Sequence, residues 1–246
     1  MNNRAKTLKW SSANNSHVGM VRKVNEDACL VMPDQGLWAV ADGMGGHEAG
    51  DFASQLIINT LSQMPSFSTW EGFIEAAQTQ LTQSNHQLRK ESARHYHNRT
   101  IGSTVVVMLA HENQGACLWV GDSRLYRLRH GELEQLTRDH SHVQELVDQG
   151  LLSQEEAQEH PLGNVITRAV GSSERLDIDS LHFPLEVGDI FLLCTDGLNK
   201  VVKDSEIAYL MVHAERHEIV ETLIQTALAR GATDNVTVVV ISIEDE

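Results

Sequence analysis

The chain has 246 residues and no Pro-rich or Ser/Gly-rich linker, which predicts one domain, 1–246, built around a sizeable core. With 19 Lys and Arg against 34 Asp and Glu, its net charge of −15 argues against nucleic acid and anionic membranes as partners. Cys29, Cys117 and Cys194 are odd in number, far apart and set in apolar runs, as buried reduced thiols are. No signal-like apolar core and no bilayer-length run is present, so the expected location is the cytoplasm.

The first strong pattern is a hairpin: short apolar runs at 28–32 and 36–41 flank the turn-forming Pro33-Asp34-Gln35. After a glycine-rich turn, Phe52, Ala53, Leu56, Ile57, Leu61 and Met64 recur with the helical period. A second helix follows Pro65, with Trp70, Phe73, Ile74, Ala77, Leu81 and Leu88 on one face. Segments 103–110, 116–120, 125–129 and 133–137 read as strands, with His130-Gly131 as a turn. From 141 to 159 the pattern is helical, polar and short; Ser153 with Glu156 fits a capping box, and the region reads as a mobile insert. Strands are expected again at 176–183 and 190–195, helices near 204–212 and 217–229, and a last strand at 236–243. This order does not alternate as βαβ units do. Antiparallel sheets covered by segregated helices fit it, which makes the fold α+β.

The informative feature is where the carboxylates fall. Asp42, Asp122 and Asp196 each follow a short apolar run, Asp234 stands just before one, and Glu26 and Asp27 precede the strand that opens at Ala28. Taken singly, an Asp-Gly after a strand is usually a turn. Gathered at adjacent strand ends, such groups repel one another unless they are protonated or bound to cations. Oxygen donors without a Cys or His pair suit magnesium or manganese better than zinc, and His47-Glu48 lacks the second histidine of a zinc-protease helix. Two such ions about 4 Å apart acidify a shared water and favour an in-line displacement.

The loop Gly43-Met44-Gly45-Gly46 lacks the Gly-Lys-Ser/Thr ending of a phosphate-binding P-loop. Its glycines either let a main-chain carbonyl approach a metal or simply make a tight strand-to-helix turn. Arg22 lies four residues before Glu26; a guanidinium there matches a phosphate with two parallel hydrogen bonds, unless it is only a solvated surface charge.

Arg22-Lys23-Val24-Asn25-Glu26-Asp27 and Asp42-Gly43-Met44-Gly45-Gly46-His47 resemble the metal-dependent protein phosphatases of type 2C. So do Gly102-Ser103-Thr104, Gly121-Asp122-Ser123-Arg124, Asp196-Gly197 and Gly231-Ala232-Thr233-Asp234-Asn235. The six motifs run in family order from about residue 16 to the C-terminus, in the short form of bacterial members that consist of the catalytic domain alone. The resemblance implies two antiparallel β-sheets packed as a sandwich with helices on both outer faces. It also implies a pair of Mn2+ or Mg2+ ions in a cleft at one edge. Asp42 would bridge the ions and Gly43 would lend its carbonyl oxygen. Asp196 and Asp234 would complete one shell, Glu26 and Asp27 would act on the other through water, and Asp122 would hold a third, weaker ion. Arg22 would bind the substrate phosphate, and residues 139–171 would form a flap beside the cleft.

The implied reaction is hydrolysis of phosphoserine and phosphothreonine by a metal-activated water, without a phosphoenzyme. The substrates would be phosphoproteins, including a serine/threonine kinase or its targets. Met44 stands where eukaryotic members often carry a histidine, so the leaving oxygen would take its proton from His47, a metal-bound water or solvent. Two other readings stay open: a non-catalytic phosphoprotein-binding regulator, and a two-metal hydrolase of small phosphoesters.

Overall fold

In the computed structural model, which describes residues 8–46, 48–65, 67–95, 100–158 and 160–245, two antiparallel sheets lie face to face. One sheet has the order β1 (Leu8–His17), β11 (Val236–Asp245), β10 (Ile190–Cys194), β7 (Arg124–Arg129) and β8 (Glu132–Gln135). The other runs β2 (Asp27–Met32), β3 (Leu37–Met44), β5 (Val105–His111), β6 (Gln114–Val120) and β9 (Asp179–Pro184). The two-residue β4 (Gly102–Ser103) joins the far end of β3. Helices α1 (Glu48–Ser62) and α2 (Trp70–His95) cover the outer face of the β2–β9 sheet. On the opposite face lie α5 (Asp196–Asn199), α6 (Asp204–His213) and α7 (Arg216–Ala229). The predicted α+β sandwich is the fold observed.

Why the central strands read as unbroken apolar runs follows from this layering. Successive side chains of a strand face opposite sides, and here both sides are buried. In β3, Leu37, Ala39 and Ala41 face α1 and α2, while Trp38 and Val40 face the other sheet. In β11, Val236, Val238 and Val240 join the α6–α7 core, and Val239, Ile241 and Ile243 fill the space between the sheets. The buried indole of Trp38 meets its polar obligation by donating to Ser12 Oγ at 3.1 Å.

Strand β1 was not anticipated, because Leu-Lys-Trp-Ser-Ser-Ala-Asn-Asn-Ser-His shows no apolar alternation. It forms nonetheless, in register with β11 from Leu8 opposite Asp245 to His17 opposite Val236. As an edge strand it needs few buried side chains, and the ladder hydrogen bonds of β11 supply the template. Two predicted strand ends also differ. Strand β9 starts at Asp179, with Leu176 and Ile178 packed into the helix-side core beforehand, and β8 stops at Gln135. Beyond that end, the Thr137 hydroxyl accepts from Leu125 N at 3.1 Å.

Between β8 and β9 the chain makes an excursion carrying α3 (His142–Asp148) and α4 (Gln154–Gln158). The capping box forms: Ser153 N donates to Glu156 Oε2 at 2.8 Å, and Glu156 N to Ser153 Oγ at 3.2 Å. The excursion is pinned at both ends. Arg124 grips Asp139 with Nε and Nη2, and Ser103 exchanges two backbone hydrogen bonds with Val170. No helix among the described residues is long and apolar enough to cross a membrane.

Candidate active site

The carboxylates singled out by sequence come from both sheets and meet at one edge of the sandwich. Asp27 and Asp42 are direct cross-strand partners at the ends of β2 and β3. Asp122 follows β6, Asp196 opens α5 immediately after β10, and Asp234 lies two residues before β11. A cleft of about 320 Å³ is lined by Arg22, Glu26, Asp42, Asp122, Asp196 and Asp234. The Asp42 backbone is fixed by Thr104, which bonds it through both its amide (2.9 Å) and its hydroxyl (3.2 Å).

Asp27 sits behind this cleft. Its Oδ2 accepts from the hydroxyls of Thr195 (2.8 Å) and Thr237 (2.7 Å), both from the other sheet, and its buried Oδ1 has no hydrogen-bond partner. The buried Asp196 Oδ1 is likewise unpartnered, while Asp196 Oδ2 pairs with the Lys200 ammonium.

So many anions cannot share one desolvated space without consequence. Burial pushes Asp27 up to about 7, the Thr237 and Thr195 hydroxyls pull it back, and the charges of Asp196 and Asp234 push it further. Asp42 touches solvent at the cleft floor yet lies deep in protein. Burial first, then Asp27, Asp196, Asp122 and Asp234, hold it well above the usual carboxylate range. Asp122 also rises to about 7, mainly by burial and the neighbouring Asp196. Unpartnered carboxylate oxygens, mutual repulsion and an all-oxygen donor set fit hard divalent cations. The residues on hand suit the metal pair that the sequence implies.

Two glycines make room for Glu26. A Cβ on Gly50, in the first turn of α1, would lie 1.9 Å from Glu26 Oε2, and one on Gly43 would lie 2.0 Å from Gly50 O. Strand β3, the first turn of α1 and the Glu26 side chain therefore touch without intervening atoms. Arg22 reaches over the cleft mouth, donating from Nη2 to Asp234 Oδ2 at 2.8 Å, with half of its side chain exposed.

The loop that carries Arg22 and Glu26 hangs on Asn235. The buried Asn235 side chain accepts from Glu26 N at 2.8 Å and donates to Val18 O and Val24 O at 2.9 and 3.0 Å. Asn235→Ala leaves three backbone groups without partners, which should cost about 3 kcal/mol. Urea unfolding should report this loss, and Asn235→Asp should recover less than half of it, because a carboxylate cannot donate.

A family model described as protein phosphatase 2C matches residues 15–231. The chain belongs to the protein phosphatase 2C family. It is similar to the serine/threonine protein phosphatase PstP of Mycobacterium tuberculosis, 36% identical over 239 residues, with 97% of this chain but 46% of PstP covered. The chain thus spans about half the length of that curated relative, and 92% of the Listeria monocytogenes serine/threonine phosphatase stp, to which it is 34% identical over 231 residues. Among solved structures it is similar to PppA, a key regulatory component of T6SS in Pseudomonas aeruginosa. The identity is 47%, the TM-score is 0.89, and 97% and 99% of the two chains are covered. A catalytic domain of PstP in complex with 2 manganese ions superposes with a TM-score of 0.86, at 35% identity over 97% and 100% of the chains.

For this phosphatase 2C chain, the structure brings Arg22, Glu26, Asp42, Gly43, Asp122, Asp196 and Asp234 together around the cleft, with Asp27 behind it. His47 lies outside the described residues. Sequence reasoning gave no role to Thr104, Lys200 or Asn235. Asn235 and Thr104 stood inside recognised motifs, and their adjacency to Asp234 and the Ser103 strand was the available signal. For Lys200, the four-residue spacing from Asp196 was the clue.

Proposed function

We propose that the chain is a serine/threonine phosphoprotein phosphatase, hydrolysing phosphoserine and phosphothreonine with two divalent ions, manganese or magnesium. The observation that carries this reading is the convergence of Asp42, Asp196, Asp234 and Glu26 on one cleft, with one oxygen of Asp196 and one of the neighbouring Asp27 left unpartnered, in a member of the phosphatase 2C family. Asp42 would serve both ions and Gly43 would offer its carbonyl; Asp196 and Asp234 would hold one ion, Glu26 and Asp27 the other. When bound, the ion pair supplies an acidified water and neutralises charge on the phosphoryl group. Arg22 sits where its exposed guanidinium can leave Asp234 for a phosphate and fix it by a bidentate contact. No serine or cysteine nucleophile is needed, and a phosphoenzyme is not part of the route. His47 is the side chain we assign to protonating the departing oxygen.

Asn164 and Ile166 of the 139–171 excursion line the cleft, so this segment acts as a flap that selects the peptide around the phosphorylated residue. The substrates are phosphoproteins of the cytoplasm, a serine/threonine kinase or its targets among them. The test is an assay on p-nitrophenyl phosphate, a phosphothreonine peptide and a nucleotide with manganese, magnesium or EDTA. Metal-dependent release from the peptide, abolished by EDTA and lowered at least about a hundredfold in Asp196→Asn, is expected. A folded protein that binds manganese yet turns over none of the three is a phosphoprotein-binding regulator instead.

A further inference from the structure

The cleft carries a cation on the Asp122 side as well as Arg22 at its mouth. Lys200 follows the single turn of α5, four residues after Asp196, and its ammonium pairs with Asp196 Oδ2. Lys200 lines the cleft together with Asp122 and Asp196, with about a third (34%) of its side chain exposed. Its ammonium faces the carboxylates of Asp196, Asp122 and Asp42. In return Lys200 is the attractive partner of Asp122, opposing the push from Asp196.

Formal charges around the cleft limit how many ions it can hold. Glu26, Asp27, Asp42, Asp122, Asp196 and Asp234 bring six negative charges, and Arg22 and Lys200 return two. Two divalent ions complete the balance. A third would leave the site positive and would have to displace the ammonium from Asp196. We propose that Lys200 is a tethered cation that takes the place of a third divalent ion between Asp122 and Asp196, and so fixes the metal complement of the cleft at two. Asp122 then serves as a partner of Lys200 rather than as a ligand, and Lys200 is a positioning residue that orients the Asp196 carboxylate through the oxygen it holds. This inference rests on the two-ion reading above.

Counting bound manganese tests it without recourse to turnover. Equilibrium dialysis with metal analysis of the intact chain should give two ions per wild-type chain at saturation. Lys200→Met should give three, Lys200→Arg two, and the double variant Lys200→Met/Asp122→Asn two again. Three ions in the wild type, or two in a folded Lys200→Met, overturns the role of Lys200 and leaves the two-ion reading standing. No manganese bound by the wild type overturns both. The wild-type count needs no variant to fold.

Discussion

Asp42→Asn should yield a protein that is more stable than the wild type in EDTA and at least about a thousandfold less active with manganese. In the metal-free protein Asp42 faces Asp27 directly across the β2–β3 ladder and feels Asp196, Asp122 and Asp234 as well. At neutral pH the carboxylate must either stay charged among like charges or take up a proton, and both cost free energy. An amide of the same shape removes that cost and can donate to the surrounding oxygens. A gain of about 2 kcal/mol corresponds to roughly 5 °C in Tm for a chain of this size. On the activity side, losing one anionic donor from the metal pair removes about 4 kcal/mol of transition-state stabilisation, or about three orders of magnitude. Calorimetry at pH 7.5 in EDTA checks the first half; a Tm below wild type would mean that the carboxylates are not in conflict.

The second large effect is on pH. Asp27 and Asp122 rise to about 7 in the folded, metal-free protein, against about 4 for an unfolded aspartate. Between those values the unfolded chain has released its protons while the native chain still holds them. Stability therefore falls as pH rises through this window. The contribution of these groups is fully present below about pH 4 and lost above about pH 7. Summed over the cluster, the drop from pH 5 to pH 8 should amount to a few kcal/mol, or about 10 °C in Tm. Manganese should reverse it, since binding requires the deprotonated groups and so strengthens as pH rises. Thermal scans from pH 5 to 8 with EDTA or manganese decide the matter. A metal-free profile that is flat or climbs with pH contradicts the crowding of the carboxylates.

Much of this architecture could be read from local pattern. The β2–β3 hairpin, the two long helices and the strands at β5, β6, β10 and β11 each carry a periodicity or a turn that belongs to the segment alone. Strand β1 was illegible for the opposite reason. Its sequence is polar, and its conformation is imposed by β11, 219 residues later even at their nearest register pair, His17 with Val236. The carboxylates were legible as strand-end residues, and the motif order pointed to their grouping. What no spacing reveals is how each is held. Asp27 turned out to bind two threonines behind the cleft, 168 and 210 residues away, and Asn235 to clasp Val18. Those are matters of side-chain direction across the two sheets, which depend on packing and not on the local sequence.

The ties that hold the cleft together also order its assembly in time. Asp27 bonds Thr195 and Thr237 across 168 and 210 residues, and Asn235 clasps Val18 across 217. Half of the charged cluster is made early in the chain, and its anchors are made last. During synthesis at roughly 5–20 residues per second, Asp27 waits about 10–40 s for Thr237 to exist. Long-range closures of this kind also come late in folding, because the chain entropy of closing the loop is lost before the contact repays it. A nascent or truncated chain lacking β11 therefore carries the acidic residues without the centre they build. On the function proposed above, activity would switch on only with the final strand, and an incomplete copy would be inert.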